Sequence, residues 1–189
     1  MADDMSKKST QMNHSATDLS GLSSKLRDMI SIFRVSAKDT QYDDSSEISE
    51  KDIPDLMPWG PKLILGIDKI DEQHKELVSL INQLHKSMKL KKGRQKSGEI
   101  LKGLADYTVY HFGFEEELFE KYDYPETAEH IKIHKDLVTQ VVDFKIQFEE
   151  GRATLTMDLM NFLTDWLKNH TLNTDKKYVP FLKKKLDGI

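Results

Sequence analysis

The sequence predicts an all-α protein whose main body is an up-down-up-down four-helix bundle. Four stretches of about 18–25 residues carry apolar stripes at alternating spacings of three and four, the rhythm of a helix with one buried face. The connections between them are short, which favours antiparallel neighbours. No stretch alternates apolar and polar residues for long enough to suggest a sheet.

The elements follow in order. Residues 12–34 carry a heptad pattern, with Met12, Leu19, Leu26 and Phe33 at spacing seven and Ala16, Ser23 and Ile30 between them. This predicts a coiled-coil or amphipathic helix. Residues 35–53 are acidic and Ser-rich and read as a flexible linker. The body is then residues 54–189. It opens with an extended arm around Trp59 and the group 63–67, because Pro58, Gly60 and Pro61 break any helix. Asp68 or Asp71 is a candidate cap for the first bundle helix, predicted over about 71–90, with Glu72 or Gln73 near a capping-box position. Its stripe is Ile70, His74, Leu77, Ile81, Leu84 and Met88. A loop over KKGRQKSGE precedes a second helix at about 98–121, with Ile100, Leu104, Tyr107, His111, Glu115 and Leu118 on its stripe. Pro125 and the residue before it interrupt the helix. A third helix at about 126–150 presents His130, His134, Leu137, Val141, Phe144 and Phe148, and Gly151 ends it. A fourth, about 153–170, presents Leu155, Leu159, Leu163, Trp166 and His170. A short helix starting at Thr174 and interrupted near Pro180 completes the chain.

Composition excludes several functions. At 189 residues the chain holds one ordinary domain and an appendage. A net charge of −4 gives no support for nucleic-acid binding through phosphates. There is no apolar run near the ~18 residues of a membrane span, and the polar N-terminus lacks a signal-peptide core, so the expected location is the cytoplasm. The absence of cysteine removes disulfides, zinc ribbons and thiolate iron–sulfur sites.

The polar residues on the stripes carry the chemistry. His111 and Glu115 are four apart, as are His130 and His134, so each pair projects from one helix face. In an antiparallel bundle the start of the first helix, the end of the second, the start of the third and the end of the fourth coincide, which gathers His74, His111, Glu115, His130, His134 and His170. A lone histidine on a stripe is commonly a core residue with satisfied nitrogens, and His85 reads that way. Five imidazoles and a carboxylate at one end of a core would leave many polar groups unsatisfied, at about 1–3 kcal/mol each. Metal coordination resolves this. Asp175 completes the set, although five residues after His170 it would point about 140° away on an ideal helix, so the helix must end, loosen or bulge there. Seven protein ligands exceed what one ion takes and imply two ions with bridging carboxylates. Three imidazoles on one ion and two on the other, with two bridging carboxylates and a bridging oxygen, leave the second ion an open position. Mixed imidazole and carboxylate ligation favours iron.

At these residues the chain resembles the hemerythrin family, in its bacterial form. The matching pieces are Trp59, GIDKIDEQH at 66–74, HFGFEEELF at 111–119, HIKIH at 130–134 and HTLNTD at 170–175. The resemblance implies two iron ions with an oxo or hydroxo bridge. His130, His134 and His170 would hold the saturated iron, His74 and His111 the open one, and Glu115 and Asp175 would bridge. It further implies that dioxygen binds reversibly at the open iron, in a pocket formed here by Leu77, Phe112, Trp166 and Leu167. Thr171 departs from the family, which has Ile or Leu there. It either packs as Val would or admits water or a proton near bound oxygen. Separately, QMNHSATDLSGLSSKLRDMISIFRV resembles the last helix of the signalling domain of chemotaxis receptors. The apolar stripe and the flexible linker point to self-association or a signalling partner through residues 12–34.

The expected function is reversible oxygen binding for sensing, delivery or storage. The alternative is a di-iron redox enzyme acting on oxygen, peroxide or nitric oxide. Ferritin-like oxidase chemistry does not suit the sequence, since those sites are carboxylate-rich and this one is His-rich. No spare acid or base stands beside the ligands, so the chain reads as an oxygen-binding protein rather than an enzyme.

Overall fold

A computed structural model describes residues 49–186. The heptad segment at 12–34, its chemoreceptor-like wording and the linker up to residue 48 lie outside the described residues. The described chain is helical, in four main helices and a fifth, shorter one. They are α1 (Asp68–Lys89), α2 (Gly93–Tyr122), α3 (Thr127–Glu149), α4 (Met157–Asn169) and α5 (Lys176–Leu186), with a π-helical turn at His170–Asp175 joining the last two. No helix among the described residues is long and apolar enough to cross a membrane.

The arm before α1 is held by both backbone and side chain. Pro61–Leu63 forms a single 3₁₀ turn. The Met57 backbone N–H donates to Asn82 Oδ1 at 2.9 Å, and Asn82 Nδ2 donates back to the Met57 carbonyl at the same distance. Trp59 packs half-buried on the core. The predicted cap of α1 needs correcting. The residue before the helix is Ile67, which offers no side-chain bond. Asp71 instead accepts from the N–H groups of Leu65 and Gly66 at 2.7 and 2.8 Å, tying the arm to the helix. Gly66 is required here. Its φ is +77°, and a Cβ would run into the Lys183 ammonium.

The loop predicted over KKGRQKSGE is also corrected, because most of it is helix. Lys91 and Gly93 take left-handed backbone angles, and α2 begins at Gly93. Tertiary contacts stabilise this polar start. Ser97 Oγ lies 2.7 Å from Ser87 Oγ in a buried pair, while the Arg94 guanidinium donates to the Ala153 carbonyl and sits 4.7 Å from the Phe148 ring centroid. The buried face of α2 is rotated by one residue from the predicted stripe at three places. Leu101, Thr108 and Phe119 are buried, whereas Ile100, Tyr107 and Leu118 are half-buried. Asp123 ends α2 in the left-handed conformation, and the Tyr124 N–H returns to the Phe119 carbonyl at 2.9 Å.

α1 packs on α2, α2 on α3 and α1 on α4. Two apolar bodies result. The larger runs through all four main helices, from Leu84 and Leu101 to Val141, Met160 and Leu167. The smaller gathers Leu65, Ile67, Ile70, Phe119, Tyr124, Tyr178 and Leu182. At the chain's end, α5 runs unbroken past Pro180, where an interruption was predicted. Pro180 lies on the fifth residue of α5, so its missing N–H forgoes one bond, to Lys176, without ending the helix.

Candidate metal centre

The start of α1, the end of α2, the start of α3 and the end of α4 meet between the two apolar bodies, and all seven predicted ligands come together there. His74, His111, Glu115, His130, His134, His170 and Asp175 are each no more than 4% exposed. Phe112 lies against them from the larger body, its ring stacked on His134 with centroids 3.7 Å apart. Phe119 and Tyr178 lie against His130 from the smaller one, at 4.8 and 5.6 Å.

Glu115 and Asp175 organise the site. Oε1 of Glu115 faces His111 Nε2 at 3.6 Å and His74 Nε2 at 4.0 Å. Its Oε2 faces His134 Nε2 at 3.2 Å and His130 Nε2 at 3.6 Å. Asp175 repeats the division. Its Oδ2 faces His74 Nε2 at 3.3 Å, while Oδ1 faces His170 Nε2 at 2.9 Å and His130 Nε2 at 3.4 Å. Each carboxylate therefore straddles a two-histidine side and a three-histidine side. The same division appears in the two groups able to hold a metal ion, which share Glu115: one adds His74 and His111, and the other His130, His134, His170 and Asp175.

Asp175 reaches the centre because the helix is π-wound from His170 to Asp175. Bonding from residue i to i+5 stacks residues five apart, which an α-helix does not. The bulge anticipated from the spacing is this turn.

The atoms left without hydrogen-bond partners test the fit to metal ions. Among the buried atoms without a partner, Nε2 of His74, His111 and His130, Oε2 of Glu115 and both oxygens of Asp175 face the centre, whereas Nδ1 of His74 and of His85, Nε2 of Gln73, Oε1 of Gln140 and Oγ1 of Thr164 do not belong to the candidate ligand atoms. Nε2 of His134 and His170 face each other at 3.2 Å, about the separation of two nitrogens in adjacent positions around one ion with ~2.1 Å bonds. Burying such groups unpaired costs about 1–3 kcal/mol each, and cations at the centre of the set satisfy them together. Imidazole with carboxylate suits a first-row transition metal. The residues fit the two ions the sequence implied.

The electrostatics agree. Burial opposes the charge on Asp175, but His170, His130 and His74 hold its carboxyl well below the usual carboxylate range. Burial and Asp175 likewise oppose the charge on Glu115, and His111, His130 and His134 outweigh them, lowering its pKa. Burial would lower His130, but the neighbouring carboxylates of Asp175 and Glu115 raise it to about 9. At His111 burial wins and lowers it to about 4. The two carboxylates thus form a fixed negative centre that draws positive charge.

Three residues beside the ligands were not anticipated. Gln73 Oε1 lies 2.9 Å from His111 Nδ1. Glu116 Oε1 lies 3.0 Å from His134 Nδ1. The Tyr178 hydroxyl donates to Glu115 Oε1. Such partners fix which ring nitrogen faces the centre and how the carboxylate is turned. In the sequence Gln73 stands near a capping-box position, and Glu116 is hidden in an acidic run. Tyr178 follows Asp175 by three residues on the face it shares, a signal that was available. His85 lies outside the site, buried, with Nδ1 unpartnered.

Of the predicted pocket residues, Leu77, Phe112, Leu167 and Thr171 are buried and Trp166 is half-buried. Besides His134, Phe112 approaches His111 and His170, both at 5.6 Å between centroids. Trp166 stacks on His170 at 4.6 Å.

Comparison with known proteins gives a consistent answer. The family model described as the hemerythrin HHE cation binding domain matches residues 65–182. Bacteriohemerythrin of Stenotrophomonas maltophilia (strain R551-3) is 34% identical over 132 residues, covering 70% of this chain and 85% of the relative. Bacteriohemerythrin of Methylococcus capsulatus is 37% identical over 128 residues, covering 67% and 97%. The crystal structure of a wild-type hemerythrin superposes with a TM-score of 0.64 at 34% identity, covering 67% of this chain and 98% of that one. With the ligand geometry, the matched span and the shared fold in agreement, the chain belongs to the hemerythrin family.

Proposed function

We propose that this domain binds dioxygen reversibly at a non-haem di-iron centre, serving oxygen sensing, delivery or storage. The observation that carries the reading is the straddling of Glu115 and Asp175, each with one oxygen toward His74 and the other toward the three-histidine side. His130, His134 and His170 would hold one iron, His74 and His111 the other, with both carboxylates bridging. The two-histidine side has one fewer imidazole, which leaves room for an external ligand. When bound, the iron pair supplies reversible two-electron exchange with dioxygen.

The chain's own residues do the rest. Leu77, Phe112 and Leu167 are buried and apolar, and as the oxygen pocket they would keep bulk water from the centre. Trp166 covers His170. Tyr178 is held well above its usual pKa by burial and by the Glu115 and Asp175 charges, so it keeps the proton it donates to Glu115. Residues 12–34 would carry any output, through self-association or a signalling partner. An unchanged mass by light scattering after removal of residues 1–53 argues against that role.

The central test is anaerobic reconstitution with iron(II), a count of iron per chain, and visible spectra before and after oxygen. Two irons and an oxygen-dependent band that disappears on degassing support the proposal. A band that never reverses favours a di-iron redox enzyme acting on oxygen, peroxide or nitric oxide.

A further inference from the structure

His111 and His134 are held from behind by different chemistry. Behind His111 Nδ1 is Gln73, a neutral amide that is itself buried. Behind His134 Nδ1 is Glu116, a carboxylate whose side chain is 31% exposed. Glu116 lines an open groove of about 750 Å³ between the end of α2 and the start of α3, together with Glu117, Glu120 and Asp123. Through its two nitrogens, the buried His134 ring thus faces the candidate ligand cluster on one side and, on the other, a carboxylate that lines a surface groove.

We infer that Glu116 is a positioning residue for the three-histidine half of the centre: it fixes the His134 ring through Nδ1 and, as an anion, favours the higher oxidation state of the ion held there. The inference rests on the di-iron reading above. Phe112 stacks on His134 with an interplanar angle of 3°, which fixes the plane of the ring but does not choose between its two flips about Cβ–Cγ. The bond from Nδ1 to Glu116 selects the flip that turns Nε2, rather than a ring carbon, toward Glu115 and His170. An imidazole whose N–H is bonded to a carboxylate is a more basic ligand than one bonded to an amide. The two halves of the centre therefore differ in supporting charge as well as in histidine count.

The test uses the full chain reconstituted anaerobically with iron(II), comparing wild type with Glu116→Gln, Glu116→Ala and Glu117→Gln. Glu117 shares the groove without a bond to a ligand histidine, so its variant controls for the general field. Iron per chain, iron affinity against a competing chelator, and the midpoint potential of the centre are measured, with a thermal melt of each metal-free variant to establish folding. In Glu116→Gln, which can still accept the hydrogen bond, both irons are retained and the midpoint potential rises. In Glu116→Ala, one of the two irons binds about 10–100-fold more weakly. Glu117→Gln matches wild type. Wild-type affinity in Glu116→Ala overturns the positioning role. A potential unmoved in Glu116→Gln, or moved equally by Glu117→Gln, overturns the charge role. A wild-type chain that takes up fewer than two irons overturns the di-iron reading, and this inference with it.

Discussion

Asp175 places Oδ1 2.9 Å from Nε2 of His170, the residue five positions before it, and the π turn between them makes this possible. On an α-helix the two would diverge by about 140°. The other Asp175 oxygen reaches His74 at 3.3 Å, so this one side chain joins the end of α4 to the start of α1.

Replacing that carboxylate by its neutral isostere should therefore cost metal. In Asp175→Asn the count of iron per chain after anaerobic loading is expected to fall from two to one or fewer, with helix content by circular dichroism retained. Two tightly held irons in the variant would remove Asp175 from the ligand set.

Tyr178 is fully buried and gives its O–H to Glu115. Tyr178→Phe leaves a buried carboxylate oxygen without its donor while keeping the ring in place. A loss of about 1–3 kcal/mol is expected in urea denaturation. An unchanged unfolding midpoint would show that Glu115 finds another donor.

Thr171 is buried where the resemblance leads one to expect Ile or Leu. Thr171→Ile removes a hydroxyl from the wall beside His170 and should slow autoxidation, read as slower decay of the oxygenated visible band. Equal decay rates in both proteins would assign Thr171 to packing alone.

His85 supplies a pH dependence outside the centre. Burial, with Lys89 and Lys86 nearby, lowers its pKa below the ordinary histidine value of about 6.5. As pH falls through that value the unfolded chain takes up a proton that the folded chain resists, so stability is lost toward acid. His85→Leu removes this contribution. The drop in urea midpoint between about pH 8 and about pH 5 should be smaller in the variant than in wild type; an identical drop would show that His85 contributes nothing.

Most of the candidate ligand set was legible because metal ligands on helices must share a face, and a face is a spacing. His111 with Glu115 and His130 with His134 announce themselves at four residues, and their place on otherwise apolar stripes marks them as buried. Helix ends were less legible. The start of α2 reads as a polar loop until Ser87, Phe148 and Ala153 are brought beside it, and nothing local in KKGRQKSGE encodes those partners.

By itself, the sequence determined the helical class and six of the candidate ligands, since these depend on residue type and on periodicity along single helices, while the family was legible only in whole motifs such as HFGFEEELF and HIKIH, and Asp175 only as an acid out of phase with His170. Only the tertiary structure decided how the candidate ligands are arranged. The division of Glu115 and Asp175 between two sides, the π turn that delivers Asp175, and the support of His111 by an amide but His134 by a carboxylate all depend on contacts between helices distant in the chain. Such contacts leave no spacing to read.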